Sequence, residues 1–286
     1  MESAEELIES TLKLAEKNNA AAVLISGKLP FPIETDIPVY QLPGNTDTFI
    51  EGFIPPESGS LHSMEKNLCR EAKSYVSDIE KAASIEHVIG KMKRGIVVGI
   101  SISEESVAII FHDFSKSVLL NAMQECEERI SPEVMRAAFR LCLEISEAGR
   151  EGRQVGTAFL IGDHEEVMQR SHQMILNPYS GHPDDEKSIL EEKNWESVKE
   201  FSLLDGVFIV SEEGVILNAG RYLDVDAKDL DINKGFGGRH VSAAAMTRDT
   251  VAIALTVSES GGTVRLFMDG KERVSIESTD RLLKNN

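Results

Sequence analysis

Leu203-Leu204-Asp205-Gly206-Val207 and, further along, Gly235-Phe236-Gly237-Gly238-Arg239-His240 are the two stretches around which this chain is organised. The first places a carboxylate and a glycine at the start of an apolar strand. The second is a glycine-rich loop running into Val241-Ser242-Ala243-Ala244-Ala245-Met246, which reads as a helix. Between them, Gly206 to Val210 and Val215 to Ala219 read as two strands joined by Ser211-Glu212-Glu213-Gly214, with glycine at the expected positive-φ position. A strand-end carboxylate beside a glycine-rich helix start is suited to holding a nucleotide phosphate and a metal ion.

Asp205 presents hard carboxylate oxygens of the kind Mg²⁺ or Mn²⁺ prefers, and Gly206 would let a ligand approach the backbone. Taken alone, the same pair simply begins a strand. At the helix start, unpaired backbone N–H groups and the helix dipole attract phosphate, and Arg239 adds a cationic fork. No Lys-Ser or Lys-Thr follows the glycines, so this is not a Walker A loop; in isolation it reads equally as a flexible connection. Tyr222 and Leu223 are expected just after the hairpin's second strand, a ring to stack on a base and an apolar side chain to line its face, or else rim packing. Ser258 and Glu259 end a strand before Gly261-Gly262, within reach of a phosphate or metal, or in a tight turn. His164, His172 and His182 show no metal-ligand spacing and read as surface or loop residues.

Working outward, Ala4 to Asn18 is an amphipathic helix with Leu7, Ile8, Thr11, Leu12 and Ala15 on one side, followed by the buried strand Ala21 to Ile25. Proline and glycine make Lys28 to Ser63 loop and edge structure. A helix is expected over Ser63 to Ile89, then strands over Gly95 to Ile102 and Val107 to Phe111. A polar helical stretch, Ser115 to Arg129, connects two domains. Ser131-Pro132-Glu133 opens the next helix, which turns Val134, Ala137, Ala138, Leu141, Ile145 and Ala148 inward and stops at Gly149. Val155 to Gly162 is a strand, Asn177 to Pro183 is turn-forming, and Trp195 and Val198 belong to a helical segment. Val251 to Val257 and Thr263 to Met268 form another strand pair.

Lys plus Arg number 30 against 48 Asp plus Glu, a formal charge of -18, which opposes a general nucleic-acid role while leaving room for a local anion pocket. Cys69, Cys126 and Cys142 lack CxxC spacing and are odd in number, so neither a disulfide framework nor a zinc site is indicated. The amino terminus is acidic and no apolar run is long enough to cross a bilayer, so neither a signal peptide nor a membrane anchor is expected, and a reducing cytoplasm is the expected location.

Several pieces occur in one order: Gly156-Thr157-Ala158-Phe159 with Ile161-Gly162-Asp163, Leu176-Asn177-Pro178-Tyr179 with Gly181-His182, and Leu204-Asp205-Gly206-Val207. Gly220-Arg221-Tyr222-Leu223, Gly238-Arg239-His240, and Val257-Ser258-Glu259 with Gly262-Thr263 follow. In this the chain from about Ser131 to Ser275 resembles the diadenylate cyclase (DAC) domain, whose ATP site carries Asp-Gly-Ala and Arg-His-Arg motifs. Ala15-Glu16 through Ala21-Ala22-Val23-Leu24-Ile25-Ser26 is similar to the α/β domain at the carboxyl end of pyruvate kinases, as found ahead of the cyclase domain in archaeal diadenylate cyclases.

The resemblance implies a two-domain α/β protein. Residues 1–120 would form a three-layer α/β domain, and residues 121–286 a cyclase domain with a mixed β-sheet flanked by helices. It further implies condensation of two ATP into cyclic di-AMP and two pyrophosphates at a face-to-face dimer, with Mn²⁺ or Mg²⁺. Asp205 would be the catalytic and metal residue. Gly206, Val207, Tyr222, Leu223, Gly238, Arg239, His240, Val241, Ser242, Ser258 and Glu259 would bind ATP. Val207 stands for the usual alanine, Gly238 where threonine is common, and Val241 for the final arginine, leaving Arg248 or Lys234 to supply the missing charge. The competing readings are an adenine-nucleotide sensor that has lost the reaction, and a plain interaction module with a structural glycine loop.

Overall fold

The structure, a computed structural model, describes residues 2–26, 32, 35–41, 76, 79–88, 90–102, 107–148, 154–228, 230, 232, 235–276 and 283–284. The chain divides into two compact units, Met1–Leu120 with Thr279–Asn286, and Asn121–Ser278.

In the first unit α1 (Glu2–Lys17) precedes β1 (Ala22–Ser26), β2 (Val39–Gln41), a helix α2 over 79–88, β3 (Ile96–Ile102) and β4 (Val107–Asp113), with β12 (Leu283–Lys284) closing the order β12-β2-β1-β3-β4. β1 is parallel to both neighbours, and its unbroken apolar run suits a strand buried on both faces. Ile8, Leu12 and Ala15 of α1 pack on Val23, Ile25, Val98 and Ile100. Leu24 and Val97, on the opposite face, are equally buried, which is the coverage a three-layer arrangement requires. Leu7, expected inward, is instead 46% exposed: the stripe Ile8, Leu12, Ala15 already fills the contact, and Leu7 lies off its edge. Most of the helix expected over Ser63 to Ile89 lies outside the described residues.

The second unit begins within α3 (Val118–Cys126), at Asn121, and continues with α4 (Pro132–Ala148). Its seven-stranded mixed sheet has the order β11-β10-β9-β5-β7-β8-β6, from β5 (Thr157–Ile161), β6 (Ser171–Gln173), β7 (Val207–Val210), β8 (Ile216–Leu223), β9 (Ile253–Val257), β10 (Val264–Met268) and β11 (Lys271–Ile276). Central β5 runs parallel to β7 and antiparallel to β9, and all three strands are wholly buried. α5 (His164–Gln169) and α6 (Trp195–Phe201) are short, and α7 (Gly238–Asp249) packs Ala243, Ala244 and Met246 against Ala158, Leu160, Val207 and Ile209. The small alanines let this helix lie close to the sheet. Phe159 and Phe208, on the other face, stack with centroids 4.7 Å apart.

The hairpin β7–β8 turns at Gly214 with φ 83°, as the sequence predicts. Two expectations around it change. β8 does not stop at Ala219 but runs to Leu223, because β6, which the sequence reading missed, pairs with its far end through Ser171↔Leu223, His172↔Tyr222 and Gln173↔Arg221. Tyr222 and Leu223 are therefore strand residues; His172, read as surface or loop, is at the surface as expected, but on a strand.

Candidate functional site

α7 begins with Gly237 as its cap in extended conformation, and the N–H groups of His240 and Val241 both reach the Gly237 carbonyl. The expected loop-to-helix start is thus formed, and the candidate residues fall on two sides of its first turn.

On one side is a polar cluster. The Arg239 guanidinium donates to the carbonyls of Gly156 and Leu204 and to Asp205 Oδ1, the last at 2.9 Å. Arg239 therefore ties the start of β5, the chain entering β7 and the start of α7 together. Glu259 stands against the same point, since a Cβ on Gly156 would meet Glu259 Cβ at 3.1 Å and an Arg239 nitrogen at 3.4 Å. Ser258 is turned into its own loop, its hydroxyl on Ser260 and its N–H on the Thr263 carbonyl.

Asp205 is fully exposed, in the chain just before β7. Among the described residues no group of three or more His, Cys, Asp or Glu side chains is placed to hold a metal. One exposed carboxylate fits a divalent ion that arrives with nucleotide phosphates, because Mg²⁺-type ions commonly take one or two carboxylates and complete their shell with phosphate and water.

On the other side lies a cavity of about 750 Å³, lined at one end by Tyr222, Leu223 and Asp224, along a wall by Val225 to Lys228, and against α7 by Phe236, Gly238, Val241 and Ser242. That volume is of the size of small-molecule sites. Phe236 is held between the Arg265 guanidinium, 4.9 Å from its centroid, and the His240 ring at 5.4 Å.

Of the sequence candidates, Tyr222, Leu223, Gly238, Val241 and Ser242 line this cavity, while Asp205 and Arg239 pair in the polar cluster and Glu259 sets its Cβ and backbone against Gly156 beside them. Ser258 stays within its own loop, and three more are placed differently. Val207 sends its side chain into the core with Leu160 and Ile209, so the volume added over alanine is absorbed there and not beside a nucleotide. Gly206, with φ 101°, is needed by the fold: a Cβ would sit 2.6 Å from the Arg221 carbonyl oxygen, so the close approach is by β8 and not by a ligand. His240 is only 8% exposed, and burial first, then the charges of Arg265 and Arg239, push its pKa down to about 4. A neutral, buried imidazole is not a phosphate-binding cation.

Arg248 does not replace the absent arginine either. Its guanidinium bonds the Asp249 carboxylate and the carbonyls of Asp226 and Lys228, so it pins the cavity's wall to α7. Lys234 lies outside the described residues. Asp224 to Lys228 escaped sequence reading, and Phe236 was read only as part of the glycine-rich loop; the alternation Asp224-Val225-Asp226 leaving a strand was the available signal.

Residues 144–272 match the family model DAC, described as DisA bacterial checkpoint controller nucleotide-binding, and residues 6–115 match DacZ_A, described as a probable sensor domain. The DAC match falls within the second unit. The chain is 36% identical over 214 residues to a diadenylate cyclase of Methanocaldococcus jannaschii, covering 75% of this chain and 63% of that protein. It is 40% identical over 150 residues to a diadenylate cyclase of Haloferax volcanii, covering 52% of this chain and 54% of that protein. The chain therefore spans somewhat over half the length of these curated relatives. Among solved structures, DacA from Staphylococcus aureus aligns at 17% identity over 51% of this chain and 88% of that one, with a TM-score of 0.36. The segment expected to be pyruvate kinase-like is matched by the sensor-domain description.

Proposed function

We propose that this chain is a diadenylate cyclase, condensing two ATP into cyclic di-AMP with release of two pyrophosphates. The observation that carries the reading is the DAC match over 144–272, which brackets both the Asp205–Arg239 cluster and the cavity at the start of α7. Both cyclase relatives support it.

In this reading adenine enters beside Tyr222 and Leu223, and the phosphates run past Gly238 and Ser242 over the first turn of α7. There backbone N–H groups and the helix dipole meet their charge. Arg239 holds Asp205 in place before the nucleotide arrives and joins in phosphate binding with Ser258 and Glu259 close by. Each ribose 3′-hydroxyl attacks the α-phosphate of the other ATP, giving up its proton with the help of Asp205 as pyrophosphate departs. A Mn²⁺ or Mg²⁺ ion held by Asp205 and the nucleotide would offset charge on the α-phosphate and the leaving group. One site holds one ATP, so two second units must face each other, and a two-fold pair makes each nucleotide both attacker and target.

We assign residues 1–120 to the sensing role their family description names, and residues 121–286 to the cyclase. The pyruvate kinase likeness rests on the helix α1 followed by buried β1 and is carried no further. A cytoplasmic setting belongs to the same proposal; among the described residues no helix is long and apolar enough to cross a membrane. Incubation of the purified chain with ATP and Mn²⁺, followed by mass detection of cyclic di-AMP, tests the function.

A further inference from the structure

The end of the cavity that receives the base is built by two strands. His172 on β6 faces Tyr222 on β8 as a direct cross-strand partner, with ring centroids 5.4 Å apart and planes at 39°. His172 Nδ1 lies 2.8 and 2.9 Å from the two oxygens of Asp224. Tyr222 and Asp224 both line the cavity; His172 does not.

The pair is anchored from beneath. Arg221, beside Tyr222 in sequence, donates from Nε to the Ser171 hydroxyl at 2.7 Å and from its terminal nitrogen to the carbonyls of Met168 and Ser171, each at 2.8 Å. The Asp224 N–H bonds the Arg170 carbonyl at 2.8 Å. The backbone carrying His172 is thus locked to the backbone carrying Tyr222, and Asp224 fixes the imidazole itself. An exposed tyrosine otherwise loses rotamer freedom when a base stacks on it, and holding the ring beforehand removes that cost from binding.

We propose that His172 is a positioning residue for nucleotide binding: oriented by Asp224, it holds the Tyr222 ring in the arrangement that receives the base, without touching the base. This rests on the reading that ATP binds the cavity beside Tyr222. Because His172 and Asp224 are each about half exposed, with side chains 55% and 50% accessible, their pairing adds little to folding stability, so affinity and stability separate.

The test is binding of the α,β-methylene analogue of ATP, which cannot release pyrophosphate, measured calorimetrically on the full chain with Mg²⁺. Loss of one such contact is expected to weaken binding of the analogue by His172→Ala roughly 3- to 10-fold with the melting temperature unchanged. His172→Phe, which keeps a ring against Tyr222, should recover most of the loss. Tyr222→Ala should weaken binding further, and His172→Ala added to it should have no additional effect, as required of a residue that acts through Tyr222. Unchanged affinity in His172→Ala, or full additivity with Tyr222→Ala, would overturn the proposal while leaving the nucleotide site intact. Failure of the wild-type chain to bind the analogue would overturn the nucleotide reading itself, and this inference with it.

Discussion

Replacing Gly206 by alanine is expected to break the site by breaking the sheet beneath it. The φ of 101° is one an L side chain rarely adopts, and forcing it costs about 1–3 kcal/mol. The new Cβ would also lie 2.6 Å from the Arg221 oxygen, 2.7 Å from its nitrogen and 2.7 Å from the Gly220 carbonyl carbon. All three are backbone atoms, so no side-chain rotation relieves the clash. β8 must move away from β7 where Val207 pairs with Arg221, losing one or two ladder hydrogen bonds at about 1 kcal/mol each. The total is about 2–5 kcal/mol, a large share of the 5–15 kcal/mol typical of a domain. Trp195 is the sole tryptophan and is buried in the second unit, so its fluorescence during urea unfolding reports on the affected unit. Gly238→Ala is the control: it opens α7 with ordinary φ, nothing lies within 4 Å of its added Cβ, and no more than about 0.5 kcal/mol of change is expected. A loss below about 1 kcal/mol in Gly206→Ala would show that β8 accommodates the added side chain.

Asp205→Asn should abolish product while the α,β-methylene analogue still binds, and full turnover by this variant would sink the catalytic role of the carboxylate. The buried His240, with its pKa near 4, makes stability fall as pH drops from about 6.5 to 4, because the unfolded chain takes up a proton that the folded chain refuses. Above that window neither state is charged there. The loss is about 2–3 kcal/mol in all, so the stability of wild type relative to His240→Gln should decline by that amount between pH 7 and 4; parallel curves would contradict it. Cys126 and Cys142 are buried, and burial pushes the Cys126 thiol up to about 12 and the Cys142 thiol well above its usual range. Neither should react with a thiol reagent until the chain unfolds, and alkylation of either in the native protein, read by mass, would show the burial to be wrong.

What the sequence disclosed were features set by local chemistry. Glycines mark the Gly214 turn and the start of α7, and unbroken apolar runs mark β1, β5 and β9. What it hid depends on partners distant in the chain. Ser171-His172-Gln173 is polar and short, and becomes a strand only because β8 offers an edge, which also carries Tyr222 and Leu223 into the sheet. The Asp205-Gly206 pair looked like a ligand approach, yet the glycine answers to the backbone of Arg221. His240 follows Arg239 in sequence, but one step along a helix turns it toward Phe267 and Arg265 and away from the guanidinium's partners.

Diadenylate cyclase activity is tested by incubating the purified chain with ATP and Mn²⁺, then separating nucleotides by chromatography and mass. Cyclic di-AMP is expected together with pyrophosphate, at a rate rising faster than in proportion to protein concentration, since two sites must meet. ATP recovered intact from a chain that binds its α,β-methylene analogue would contradict it.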